Sequence, residues 1–151
     1  MSGLAGAVSM SLWQRVRSLW TRRSEPLHLQ YGKLGEKAAK RHLQRLGLTF
    51  LVANYSARRG EIDLIFRDQD CLVFIEVKTR SSESWTRPAA AVDARKRRRI
   101  SKAALEYLRR IKAPTVPVRF DIVEVLLDNG LVGEVRHLPN CFPLSAPYRY
   151  G

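Results

Sequence analysis

Residues 59 to 80, RGEIDLIFRDQDCLVFIEVKTR, constrain the fold more than any other stretch of the chain. Two runs rich in Ile, Leu, Val and Phe flank the short polar turn DQD, the pattern of a β-hairpin. Side chains alternate faces along a strand. Leu72, Phe74, Glu76 and Lys78 therefore share one face of the second run, and Val73, Ile75, Val77 and Thr79 share the other. Both faces begin apolar, which predicts a central strand covered on both sides. In the first run Asp63 is expected to share a face with Glu61 and Ile65, opposite Ile62, Leu64 and Phe66. Asp63 and Glu76 lie at similar distances from the turn, so the hairpin sets them side by side. Buried carboxylates are costly unless they are paired or bind a metal.

The flanking sequence supplies the rest of an α/β unit. YGKLGEKAAKRHLQRLGL, from Tyr31, carries Gly35, Ala38, Ala39, His42, Leu43 and Leu46 on one helical face, with Gly47 as the stop. LTFLVANY is strand-like and precedes the hairpin. A Ser-rich loop with Trp85 and Pro88 follows it. A second helix begins after Asp93, a natural N-cap, and buries Ile100, Ala103, Ala104, Tyr107, Leu108 and Ile111. VRFDIVEVLL, an Asp-Asn-Gly turn and LVGEVRHL give a fourth strand and a fifth. The predicted fold is a mixed central sheet flanked by helices, in the order α-β-β-β-α-β(-β). Residues 31–138 form the main domain. Residues 1–30 are a basic amphipathic extension and 139–151 an irregular tail. The extension spaces Leu12, Trp13, Val16, Leu19 and Trp20 helically among arginines. A frayed tail, a helix docked on the domain, a contact with a protein partner's groove and a peripheral membrane contact are all open readings of it.

Charge narrows the partners. The 151 residues carry a formal net charge of +13, which points to a polyanion. The surplus is localised: residues 78–119 hold thirteen Lys or Arg against Glu83, Asp93 and Glu106. Nucleic acid is the leading partner, with an anionic membrane surface as the alternative. No apolar run approaches the ~20 residues that span a bilayer, so integral membrane association is not expected. Cys71 and Cys141 stand apart, without the spacing of a zinc site. They read as reduced thiols, and the expected location is the cytoplasm.

Periodicity brings two helical residues toward the acids. Glu36 extends the inward stripe of the first helix by one turn, and Lys96 does the same for the second. Two or three converging carboxylates can hold Mg²⁺, which takes oxygen ligands and keeps several waters. Such an ion polarises a phosphate oxygen and acidifies a bound water. A nearby lysine orients that water or steadies charge on the phosphate. The run RKRRR, residues 95 to 99, would hold a nucleic-acid backbone. Each residue has a plainer reading alone. Asp63 fits a solvated face, Glu76 with Lys78 an ion pair, Glu36 the positive end of its helix, and Asp121 a partner of Arg119 or Arg80.

GEIDLI and VFIEVKTR, preceded by LGEKAA and NY, together resemble the YraN family of small bacterial proteins. That family is assigned to the restriction-endonuclease-like, PD-(D/E)XK, superfamily and is similar to archaeal Holliday-junction resolvases. The resemblance covers roughly residues 31–138. It implies Asp63 and Glu76 as ligands of Mg²⁺ or Mn²⁺, the Val77 carbonyl as a further ligand, and Lys78 as the catalytic lysine. Glu36 matches the acid on the first helix, an outer or direct metal contact. Lys96 falls where related nucleases place a polar active-site residue, and Arg80 and Arg99 are implied phosphate contacts. The implied activity is metal-dependent hydrolysis of DNA phosphodiesters, including branched DNA. A homodimer would be needed to cut a junction symmetrically, though no interface is legible. A nucleic-acid-binding module without catalysis is the alternative.

Overall fold

The computed structural model describes residues 25–81, 92–113 and 115–145. The N-terminal segment up to residue 24, the Trp85 loop, Pro114 and the last six residues lie outside the described residues. The elements are α1 (Leu27–Arg45), β1 (Thr49–Ala57), β2 (Gly60–Asp68), β3 (Cys71–Ser81), α2 (Ala94–Arg110), β4 (Val118–Asp128) and β5 (Leu131–Phe142). This is the expected α-β-β-β-α-β-β order. The strands form one sheet in the order β1-β2-β3-β4-β5. Only β3 and β4 pair in parallel, as a helical crossover between them requires. No helix among the described residues is long and apolar enough to cross a membrane.

The sheet is covered on both faces. On one, Ala39 and Leu43 of α1 pack over Leu64, Phe66, Val73, Ile75, Val123 and Val125. On the other, Ile100, Ala103, Ala104 and Leu108 of α2 pack over Ile62, Ile65, Leu72, Phe74, Phe120 and Ile122. β3 is thus central and buried on both sides. Asp93 caps α2 by accepting the Lys96 backbone N–H at 2.7 Å. Asn129 and Gly130 both take positive φ in the β4–β5 hairpin, as an Asn-Gly turn demands.

The structure corrects several boundaries and faces. α1 begins directly after Pro26, earlier than Tyr31. It closes at Gly47, φ 90°, with the Gly47 and Leu48 amides donating to the Gln44 and Leu43 carbonyls. Leu46 is the helix C-cap and lies 54 % exposed, so it leaves the buried stripe. Ile111 likewise caps α2 and is exposed. β5 continues to Phe142, into the segment read as irregular, because Phe142 pairs with Phe120 and stacks on its ring at 5.1 Å. The alternation expected for β2 breaks at Asp63. Ile62 and Ile65 face α2, whereas Leu64 and Phe66 face α1. Opposite the break, Asn54 of β1 takes φ 51°, a left-handed conformation that Asn tolerates.

Asp121 is a buried carboxylate with a complete set of partners. Arg119 Nε lies 3.1 Å from both its oxygens, His137 Nε2 lies 2.8 Å from Oδ2, and the Asn140 backbone N–H donates to Oδ1 at 2.8 Å. Arg119 also reaches Asp68 at 2.7 Å, tying β4 to the end of β2. The partner of Asp121 is therefore Arg119. The site end of α1 depends on a close approach instead. A Cβ on Gly35 would lie 1.8 Å from Thr79 Oγ1, so only glycine lets α1 meet the end of β3. Gly35→Ala is expected to cost about 1–3 kcal/mol in chemical denaturation, with Thr79→Ala in the same chain recovering part of the loss.

Candidate active site

The β2–β3 ladder stops at the pair Leu64–Ile75. At the next position Asp63 takes over: its Oδ2 accepts the Val77 backbone N–H at 2.7 Å. A side chain thus replaces the backbone acceptor that a continuing ladder would supply. The break in β2 alternation turns Asp63 toward β3, beside Glu76. The expected neighbourhood of the two acids is observed, but through this bond rather than through regular cross-strand alternation.

Glu76 is 4 % exposed and carries two lysines. Lys78 Nζ donates to Oε1 at 2.8 Å, along one strand face. Lys96 Nζ, reaching in from the first turn of α2, lies 3.2 Å from Oε2 and 3.9 Å from Glu61. The Lys96 contact is an ion pair without hydrogen-bond geometry, so Oε2 is buried with no hydrogen-bond partner. Lys96, which periodicity brings toward the acids and which was also expected at the nucleic acid, is placed directly against Glu76.

These groups open into a cleft of about 370 Å³ lined by Glu36, Asp63, Glu76, Val77, Lys78 and Thr79, together with His28, Tyr31 and Gly32. Glu36 stands on the α1 wall. Among the described residues, no three His, Cys, Asp or Glu side chains converge into a metal-binding group. Glu36 therefore faces the cleft without completing a three-carboxylate cage. His28 lies in the turn of α1 that precedes the expected helix start at Tyr31, and it lines the cleft together with Tyr31. The signal was present: residues 28, 32 and 36 form one helical row, and that row lines the cleft. Arg80 is half-buried near the end of β3, and Arg99 is exposed on α2. Neither lines the cleft. Burial pushes both the Cys71 and Cys141 thiols up, away from the reactive thiolate.

The acids repel one another. Burial and the neighbouring Glu76 charge push the Asp63 carboxyl up to about 7, against the opposing pull of the Val77 N–H and Lys96. A carboxyl raised in this way is neutral in both folded and unfolded chains below about pH 4. Between there and pH 7 the unfolded chain ionises first, and stability falls. Asp63→Asn, which keeps the Val77 acceptor, should therefore melt like the parent near pH 4 in EDTA. Its advantage should grow as pH rises and level off above pH 7, reaching a few kcal/mol in order of magnitude. Thermal melts across pH would measure it, and a constant difference would contradict the raised pKa.

The model of the Uncharacterised protein family UPF0102 matches residues 35–125, a span that includes Glu36, both strand acids and both lysines. A UPF0102 protein of Trichlorobacter lovleyi is 39 % identical over 115 residues, spanning 76 % of this chain and 91 % of the relative. One from Syntrophus aciditrophicus is 45 % identical over 100 residues, covering 66 % of this chain and 79 % of its own length. One from Solibacter usitatus is 48 % identical over 99 residues, covering 64 % and 75 %. The chain belongs to the UPF0102 family.

Proposed function

We propose that the protein is a metal-dependent endonuclease that hydrolyses phosphodiester bonds in DNA, branched DNA included. The observation that carries this reading is Glu76 Oε2, buried beside Asp63 in an open cleft with an ion pair to Lys96 but no hydrogen bond. Asp121 provides the contrast within the same sheet, since both of its oxygens are engaged. An acid pair that repels internally and lacks a hydrogen-bond partner on one oxygen suits a cation. Asp63, Glu76 and the Val77 carbonyl would hold Mg²⁺ or Mn²⁺, with Glu36 across the cleft for a bound water. Two carboxylates suffice, because Mg²⁺ keeps several of its waters. Bound there, the ion supplies Lewis-acid activation of water and phosphate. The resemblance to the YraN family and to restriction-endonuclease-like nucleases supports the same residues.

Hydrolysis joins a water oxygen to phosphorus and releases a sugar oxygen. The chain must orient the water and steady the added negative charge. Lys78 has three donors, and Glu76 takes one at 2.8 Å. The remaining donors serve the water or a phosphate oxygen. Lys96, held at the cleft by Glu76 and Glu61, adds a second positive charge beside the same phosphate.

The alternative is a nucleic-acid-binding module without catalysis. It is favoured by the same two lysines, which already neutralise Glu76. Supercoiled plasmid and a synthetic four-way junction, each with Mg²⁺, Mn²⁺ or EDTA, separate the readings. The nuclease reading expects metal-dependent cutting that falls by about a hundredfold or more in Asp63→Asn and in Lys78→Ala. Cutting retained in Asp63→Asn would overturn the assignment. Binding without cutting on every substrate would favour the module.

A further inference from the structure

The geometry points to a second polyanion site, a basic cleft between the β1–β2 turn and α2 that grips the nucleic-acid backbone beside the carboxylate cleft. It rests on the nucleic-acid part of the proposed function, not on catalysis. The cleft has a volume of about 350 Å³ and is lined by Arg58, Arg59, Lys102, Leu105, Glu106 and Arg109. Four cations thus face one carboxylate. Glu106 Oε2 accepts the Arg58 backbone N–H at 3.2 Å, which ties the turn to the helix. Arg58, Arg59 and Arg109 are exposed.

The turn packs closely on α2. Gly60, directly after the turn, sits so close to α2 that a Cβ would lie 2.3 Å from the Arg99 carbonyl oxygen. The turn also lies at the same end of the sheet as the acids, because β2 runs antiparallel to β3. α2 links the two places: Lys96 meets Glu76 at 3.2 Å, while Lys102 and Arg109 line the basic cleft. At 1.5 Å rise per residue, these two stand about 9 and 20 Å along the helix from Lys96. One DNA strand advances 3.4 Å per base pair, so the cleft meets phosphates about three to six steps from one held at Lys96. A membrane surface fits less well. The lining is concave, and Leu105 is its one aliphatic residue, whereas interfacial binding buries an apolar face.

Binding of a fluorescein-labelled DNA duplex, followed by anisotropy in EDTA over a series of KCl concentrations, tests this site without requiring cleavage. Two double variants, Arg58→Gln with Arg59→Gln and Lys102→Gln with Arg109→Gln, remove charge while keeping polar side chains. Lys37→Gln with Arg41→Gln, on exposed positions of α1, is the control, and thermal melts confirm folding. Each cleft variant is expected to weaken binding about tenfold and to reduce the salt slope by about 0.9 for every phosphate it no longer neutralises. The control should keep the parent's slope. A parent-like slope in both cleft variants would overturn the site. So would an equally large effect in the α1 control, which would mean binding through net charge alone. Loss of binding to phosphatidylserine vesicles with duplex binding intact would assign the cleft to membranes and overturn the proposal as well. Failure of the cleavage assay alone leaves this site standing, because duplex binding is read without metal.

Discussion

The hydrogen bond from the Val77 N–H to Asp63, at 2.7 Å, is the constraint on which the site depends. It stands where the β2–β3 ladder ends after Leu64–Ile75. A continuing ladder would have taken the Val77 amide with backbone and left the side chain of Asp63 free to point elsewhere. Here the carboxylate substitutes for backbone, the strands part, and an opening forms between two acids. The left-handed Asn54, φ 51°, sits across β1 from this point and marks the same local break. Gly35 brings α1 down against Thr79, and Asp93 starts α2 where Lys96 can reach Glu76.

The sheet holds buried carboxylates in two different states. Asp121 is fully buried and saturated by Arg119, His137 and the Asn140 amide. Its role follows from its partners: it fastens β4 to β5 and, through Arg119, to the end of β2. Glu76 is nearly as buried, yet Oε2 lacks a hydrogen-bond partner. Its neighbour Asp63 is pushed up to about 7. Structural carboxylates are normally hydrogen-bonded at both oxygens, and Glu76 departs from that pattern at Oε2 alone. Lys78 and Lys96 reduce the cost of burying Glu76 beside a second acid.

Much of the fold was legible because each element carried a local signal. The turns at Gln69 and Asn129, the Asp93 cap, the Gly47 stop and the two-faced apolar run of β3 each fix a boundary or a layer. The placing of Glu36 on the cleft wall and of Lys96 against Glu76 also followed from periodicity. What was not legible depends on interactions between distant residues. No alternation rule shows that β2 switches faces at Asp63, where the facing residue of β1, Asn54, takes a left-handed φ. The extension of β5 to Phe142 comes from the ring of Phe120 rather than from its own pattern. Leu46 and Ile111 looked buried because periodicity continues past the point where a helix ends. His28 was hidden for the opposite reason, because the helix begins before the strong pattern does.

Crystals of the protein soaked in Mn²⁺ and measured at a wavelength with manganese anomalous signal would test the central claim most directly. The account predicts an anomalous peak between Asp63 and Glu76, with oxygen ligands at about 2.0–2.2 Å, including the Val77 carbonyl. An empty cleft, with Lys78 and Lys96 still bound to Glu76 at saturating Mn²⁺, would contradict it.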